Sequence, residues 1–278
     1  MEHANRSAHT LRAYAADLRQ FVEFYRGSLL RLTPDVLTAF WTMQSHLSPA
    51  TRARRQAALS SFFAWAYRHD LIAADPMGKV TRVKRERPLP RGVEPALVER
   101  ILAVIPRHQV RDRLLFRLVF ETGMRIGEAL NLHVEDLDLT QDDEHVEVLG
   151  KGSDRRTILL DDTRLVKQLR DYLKQTKYKH GPLFRAAKNG RGDTLAYQSV
   201  HERWAGYCAK ADVACTLHQL RHTHATEMIN GGVSLATIRR RLGHKSMQTT
   251  LLYVNQSDAT ADDEIRAWRR RKKRTGST

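Results

Sequence analysis

The chain has 278 residues, 41% of them hydrophobic, enough to bury a sizeable core without disulfides, and at roughly 100–200 residues per domain its length points to two domains. Lys and Arg number 47 against 31 Asp and Glu, a net charge of +16 with a pI near 10.2, so a polyanion, nucleic acid first of all, is the expected partner. No apolar run reaches the ~18 residues of a membrane span, the start MEHANRSAHTLRAY lacks the apolar stretch of a secretory signal, and Cys208 and Cys215 form no C-x-x-C pair, which leaves a disulfide scaffold or a cysteine zinc site without support.

The expectation is a soluble, cytoplasmic, basic protein with no membrane partner. From Thr10 to Gly27 the apolar positions Leu11, Tyr14, Leu18, Phe21, Val22 and Tyr25 recur in steps of three and four, which predicts one helix face with Gly27 as its C-cap. Thr33-Pro34 and Ser48-Pro49 each set a capping residue before a proline suited to the first helical position. The second pair opens a helix with Leu59, Phe62, Phe63, Ala66 and Tyr67 inward and Arg52, Arg54 and Arg55 on its outer side. Six of the thirteen residues from Lys79 to Arg91 are basic and two are proline, the composition of a basic linker. This predicts a helical domain over 1–80, a linker over 81–92 and a second domain over 93–278. Split at Pro90, the two parts carry net charges of +7 and +9, as expected if both touch the same polyanion.

The second domain opens with helical text from Pro95 to Val104 and from Arg113 to Glu121, the latter stopped by Gly123. His145–Leu149 then alternates with period two, Gly150–Asp154 is turn chemistry, and Thr157–Leu160 resumes a strand. That pattern predicts a β-hairpin with Lys151 at its tip. Thr216-x-x-Gln219 has the form of a capping box, and its helix runs to Gly231-Gly232. A helix from Ser234 to Leu242 is stopped by Gly243, another spans Met247 to Val254, and six basic residues fill Arg269–Arg274. The fold class is mainly α with a small antiparallel sheet.

Four segments gather residues able to do chemistry. TGMRIGEAL places Arg125 in a tight connection between helices. HQLR sets His218 and Arg221 at i, i+3 on one helical face. LGH puts His244 just past a helix end, and Tyr253 follows nine residues later in TTLLYVN. Taken singly, each has an ordinary role: a salt-bridge arginine, a turn lysine, a helix-terminal histidine, a core tyrosine. In this order, together with LGKGSDRR, the motifs resemble those of the tyrosine recombinase, or phage integrase, family, and the resemblance covers essentially the whole chain.

The resemblance implies a helical core-binding domain followed by a catalytic domain that cleaves and rejoins duplex DNA. Tyr253 would be the nucleophile, giving a 3′-phosphotyrosine and a free 5′-hydroxyl. Attack on a phosphodiester concentrates negative charge on the non-bridging oxygens, and Arg125 and Arg221 suit that charge because a guanidinium forks onto two oxygens. His218 would accept the phenol proton, Lys151 would protonate the leaving 5′-oxygen, and His244 would hydrogen-bond the phosphate. Glu128 matches the family's acidic position and is expected to orient a neighbour. No metal, ATP or other cofactor is implied: HQLRH lacks the glutamate of a zinc helix, and Asp142-Asp143-Glu144 reads as turn chemistry. His222 and His224 are expected to pack near the site or face solvent.

Arg52, Arg54 and Arg55, with Arg82, Lys84 and Arg85 of the linker, are expected to contact DNA phosphates, which position a protein without reading sequence. The resemblance further implies a monomer in solution and a tetramer on paired inverted-repeat core sites. Strands would exchange through a Holliday junction, with room for accessory proteins and for docking of the segment around Trp268 on a neighbour. Because the chain opens on core-binding helices, a Xer-like or Cre-like organisation is expected. Two other readings compete: a helix-turn-helix regulator built on Leu217–Leu242, which leaves Arg125, Lys151 and Tyr253 without a purpose, and a type IB topoisomerase-like relaxing enzyme.

Overall fold

The computed structural model describes residues 8–83, 92–150, 154–186 and 194–244, together with 266 and 269. The chain divides into two compact units, 1–88 and 89–278.

In the first unit, helices α1 (Ala8–Phe24), α2 (Pro34–Met43) and α3 (Pro49–Arg68) enclose a core of Phe21, Leu37, Phe40, Leu59, Phe63, Ala66, Ile72 and Met77. Ser48 caps α3 by accepting the Thr51 amide at 3.2 Å, whereas Thr33 makes no side-chain cap and α2 starts on Pro34 alone. Two sequence expectations shift here. Val22 is 62% exposed and Tyr67 also faces solvent, because each lies one step of about 100° off the stripe that reaches the core. Helix α1 stops at Phe24, and Gly27 instead admits the Tyr25 ring, whose atoms would stand 2.7–3.0 Å from any added Cβ.

Arg54 and Arg55 turn toward an acidic partner, Arg55 becoming buried while the Arg54 side chain stays 39% exposed. Asp17 is buried in α1, and both guanidinium groups pair with it, Arg55 through Nε at 3.4 Å. Arg55, itself 9% exposed, also donates to Gln44. A buried carboxylate is tolerated only with such partners. The chain then leaves this unit across Gln56, whose buried side-chain amide donates to the Thr81 carbonyl and accepts the Val83 amide, both at 2.8 Å.

The second unit packs α4 (Pro95–Ala103), α5 (Val110–Thr122), α6 (Ile126–Leu130), α7 (Thr163–Thr176), α8 (Tyr197–Ala211) and α9 (Leu217–Asn230) around one core that includes Phe116, Leu118, Val119, Met124, Trp204 and Leu220. Helix α10 (Leu235–Leu242) buries Ile238 and Leu242 against Ala225 and Ile229 of α9. The sheet is antiparallel in the order β1 (Leu137–Asp138), β2 (His145–Leu149), β3 (Arg155–Leu159). Val146, Val148 and Ile158 point into the core, as period two requires. Strand β3 starts two residues before the predicted Thr157, since Arg155 and Arg156 pair with Leu149 and Val148. Asp142 turns the loop into β2 with φ +68°, and Glu144 pairs with Arg170 at 2.8 Å. The predicted helix over Met247–Val254, most of the tail Arg269–Arg274, Trp268, Lys84 and Arg85 lie outside the described residues. Among the described residues no helix is long and apolar enough to cross a membrane.

Candidate active site

Three helix termini converge in the second unit, and a left-handed glycine governs two of them. Gly123 ends α5 at φ +64°, and a Cβ there would stand 2.5 Å from the His224 ring and 2.7 Å from Leu242. Only glycine allows α9 and α10 to close on that turn. Gly243 ends α10 at φ +65°, and its missing Cβ makes room for the Arg156 guanidinium at 3.0–3.1 Å.

Arg125 is the N-cap residue of α6, two residues beyond Gly123. The Glu128 carboxylate reaches back to the Arg125 amide at 2.8 Å and takes its Nη1 at 2.7 Å. Glu128 is buried, and hydrogen bonds from Arg156 and from the Arg125 amide, outweighing the opposing effect of burial, hold its carboxyl below the usual range. The Arg125 side chain remains 42% exposed while it pairs with the buried Glu128.

Arg221 is 2% exposed. Its Nη1 donates to the Gly123 carbonyl at 2.8 Å and its Nη2 to the Leu242 carbonyl at 2.7 Å, so one guanidinium joins the ends of α5 and α10. A guanidinium is well placed at a helix C-terminus, where unpaired carbonyls collect negative charge. His218 stands one turn earlier on α9, its ring 4.5 Å from that of His222 in an edge-to-face arrangement. Its ring is solvent-accessible, yet surrounding protein atoms and then the charges of Arg221 and Arg125 lower its pKa. His244 is buried just past Gly243, and burial followed by Arg221, Arg125, His222 and Arg156 lowers its pKa to about 4. His222 is likewise lowered to about 4, by burial, His218 and Arg221. At neutral pH these imidazoles are therefore uncharged: His218 can accept a proton, and His244 can offer one N–H to an anion.

Arg125, Glu128, His218, Arg221 and His244 are thus brought to one place. Lys151 and Tyr253 fall outside the described residues. In the first unit Arg52 is half-buried and Arg82 exposed, while Arg54 and Arg55 are committed to Asp17. Among the described residues no three His, Cys, Asp or Glu side chains gather as metal ligands.

Sequence reasoning missed Arg156 and Arg241. Arg156 holds Glu128 with both Nη atoms, at 2.7 and 3.3 Å, and donates Nε to the Arg241 carbonyl at 2.9 Å. Arg241 in turn donates to the carbonyls of Leu159 and Glu121, to Asp161 and to His224 Nε2, all at 3.0–3.2 Å. His224 packs against the site, as one of the two expectations for it held. The arrangement is a cradle of fixed cations and neutral N–H donors, suited to an anion that gains charge during reaction.

Comparison with known proteins gives the family. Residues 92–260 match the phage integrase family, and residues 1–70 match its N-terminal SAM-like domain. The tyrosine recombinase XerC of Mycobacterium tuberculosis (strain ATCC 25177 / H37Ra) is 33% identical over 276 residues, covering 90% of this chain and 89% of that protein. The XerC of Roseiflexus castenholzii is 31% identical over 269 residues, covering 90% and 84%. In fold, the chain is similar to the XerH site-specific recombinase in its post-cleavage complex with palindromic difH DNA (TM-score 0.76, 23% identity, 93% of this chain and 79% of that one). It is also similar to residues 75–356 of lambda integrase as a dimer on a COC′ core site (TM-score 0.73, 16% identity, 89% of each chain). A helical N-terminal unit, a mostly helical second unit with a small antiparallel sheet, and sequence matches across both place the chain in the phage integrase family, as a tyrosine recombinase.

Proposed function

We propose that the protein is a site-specific recombinase that cleaves and rejoins duplex DNA through a phosphotyrosine on Tyr253. The observation that carries the assignment of residues is the convergence of Arg125, His218, Arg221 and His244 on the ends of α5, α9 and α10. The Tyr253 oxygen attacks the scissile phosphorus and its proton passes to neutral His218. The bond from phosphorus to the 5′-oxygen breaks, and Lys151 supplies that oxygen with a proton. Arg125 and Arg221 stabilise the non-bridging oxygens, and His244 donates a hydrogen bond to one of them; one such donor is typically worth about 3–4 kcal/mol of barrier. Glu128 keeps the Arg125 guanidinium in place. Because the phosphotyrosine retains the phosphodiester's energy, attack by another 5′-hydroxyl rejoins the strand without ATP.

Duplex DNA with paired inverted-repeat core sites is the partner. Four protomers exchange strands through a Holliday junction, starting from monomers and with accessory proteins where the site requires them. The domains at 1–80 and 93–278 each contact the duplex, and Arg52, Arg82, Lys84 and Arg85 contact phosphates. Arg54 and Arg55 serve mainly to neutralise Asp17. The regulator and topoisomerase readings are not favoured, since curated relatives 31% and 33% identical to the chain are recombinases.

Covalent capture tests the proposal. Wild-type protein and Tyr253→Phe are incubated with nicked duplexes cut from the source genome, then denatured in SDS. An adduct in wild type alone, mapped to Tyr253, supports the mechanism and recovers the site. Equal capture by Tyr253→Phe removes Tyr253 as nucleophile, and tight specific binding without any adduct favours the regulator.

A further inference from the structure

We infer that Arg156 is a positioning residue for the cleavage reaction, aligning Arg125 through the shared Glu128 carboxylate while it pins the end of α10 beside His244. The inference rests on the site assignment above and concerns a residue outside the six catalytic groups. Three observations meet at this one side chain. Arg156 Nη2 and Nη1 lie 2.7 and 3.3 Å from Glu128 Oε2 and Oε1, and Glu128 holds Arg125 by both its amide and its Nη1. Arg156 Nε donates to the Arg241 carbonyl at 2.9 Å, in the last turn of α10. The Arg156 side chain also fills the space at Gly243, with Nη1, Cδ and Cζ within 3.0–3.1 Å of where a Cβ would stand.

The chemistry of the Glu128 carboxylate explains why a second arginine is needed. With Arg125 as sole partner, a buried carboxylate would draw that guanidinium inward and neutralise it. A bidentate second guanidinium satisfies the remaining lone pairs, so Arg125 needs to give only its amide and one Nη. Its other N–H donors can then face an incoming phosphate. The third donor, Nε, ties the same unit to α10, so Arg125 and His244 are held in register by a single planar group. Lysine, with a point charge and no fork, cannot hold two carboxylate oxygens and a carbonyl at once.

The test uses full-length protein and the nicked duplex recovered by covalent capture, with single-turnover cleavage and DNA affinity measured separately. Arg156→Gln is expected to cleave about 10- to 100-fold more slowly, with an affinity for the duplex within about twofold of wild type. A double variant with Glu128→Gln is expected to be no slower than the slower single variant, because both changes break one unit. On a duplex with an uncharged methylphosphonate at the scissile position, the reaction asks less of the Arg125 charge. There the Arg156→Gln deficit should shrink to less than about threefold. Multiplying deficits in the double variant, or an unchanged deficit on methylphosphonate, overturns the positioning role. Should Arg156→Gln unfold at the assay temperature, Arg156→Lys is expected to cleave at least about threefold more slowly while binding normally, and wild-type cleavage by it overturns the proposal. Failure of the wild-type protein to form an adduct overturns the parent assignment, whereas the outcomes above bear on Arg156 alone.

Discussion

Thr223 Oγ1 accepts the Val93 amide at 3.0 Å and stands 3.1 Å from the Val93 carbonyl oxygen, so one hydroxyl fastens the entry of the second unit to α9 two residues after Arg221. The preceding Gly92 lies against the α9 backbone, where a Cβ would come within 2.9 Å of Thr223 N and Cα. The same hydroxyl lies 2.9 Å from the Gln219 carbonyl, so its single proton is shared, and replacing Thr223 with Val keeps the shape but strands the Val93 amide. The expected cost is about 1–3 kcal/mol in urea unfolding, with slower cleavage because the same helix carries His218 and Arg221. A variant as stable and active as wild type would show that the hydroxyl does not hold this segment.

Gly123→Ala combines two penalties. The left-handed φ costs an alanine about 1–2 kcal/mol, and the new methyl would collide with the His224 ring and Leu242, adding about 1–3 kcal/mol. A large drop in Tm is expected, and so is loss of cleavage, since the turn leads directly to Arg125. Calorimetry that finds no drop would contradict the close approach of α9 and α10 described above.

Acid is expected to destabilise the second unit well before carboxylates titrate. His222, His224 and His244 have folded pKa values of about 4 against 6.5 for the free group, with burial the leading cause for each. All three are neutral in both states above about pH 6.5, so their contribution is complete there. Between about pH 6.5 and pH 4 the unfolded chain binds protons that the folded chain refuses, and each histidine removes up to about 1.4 kcal/mol per pH unit. Denaturant unfolding at about pH 7.5 and pH 5 checks the sign; equal or higher stability at the lower pH would refute the buried neutral state.

Asp17→Asn should destabilise the first unit by about 3 kcal/mol, because Arg55 would be left with a buried charge facing an amide. Asp17→Asn with Arg55→Met, which removes both charges, is expected to recover much of that loss. Thermal unfolding of the two variants decides the matter. Full stability in the single variant would mean that Asp17 does not serve as the arginines' partner.

The local features of this chain were legible in its sequence. The Thr216–Gln219 capping box and the glycine stops at 123 and 243 appear where they were expected, because each depends on a few neighbouring residues. The β2–β3 hairpin followed from alternation, apart from the two arginines at the start of β3. What could not be read depends on distant partners or very short elements. The five-residue α6 and the two-residue β1 are too brief for periodicity to register. The burial of Arg55 depends on Asp17, on a different helix, and the work of Arg156 depends on Glu128 and on the carbonyl of Arg241, 28 and 85 residues away. A basic residue beside a hairpin turn carries no local mark of such bonds.

The double anchoring of Arg221 has an entropic consequence. An arginine side chain free in solution holds about 2 kcal/mol of rotamer entropy, and a binding group must surrender it to grip a phosphate. The carbonyls of Gly123 and Leu242 immobilise this guanidinium within the fold itself. In the proposed reaction the disorder is therefore lost once, when the chain folds, and does not recur with each strand cleaved. At 1.36 kcal/mol per tenfold, that advance ordering corresponds to a factor of about 30 in rate.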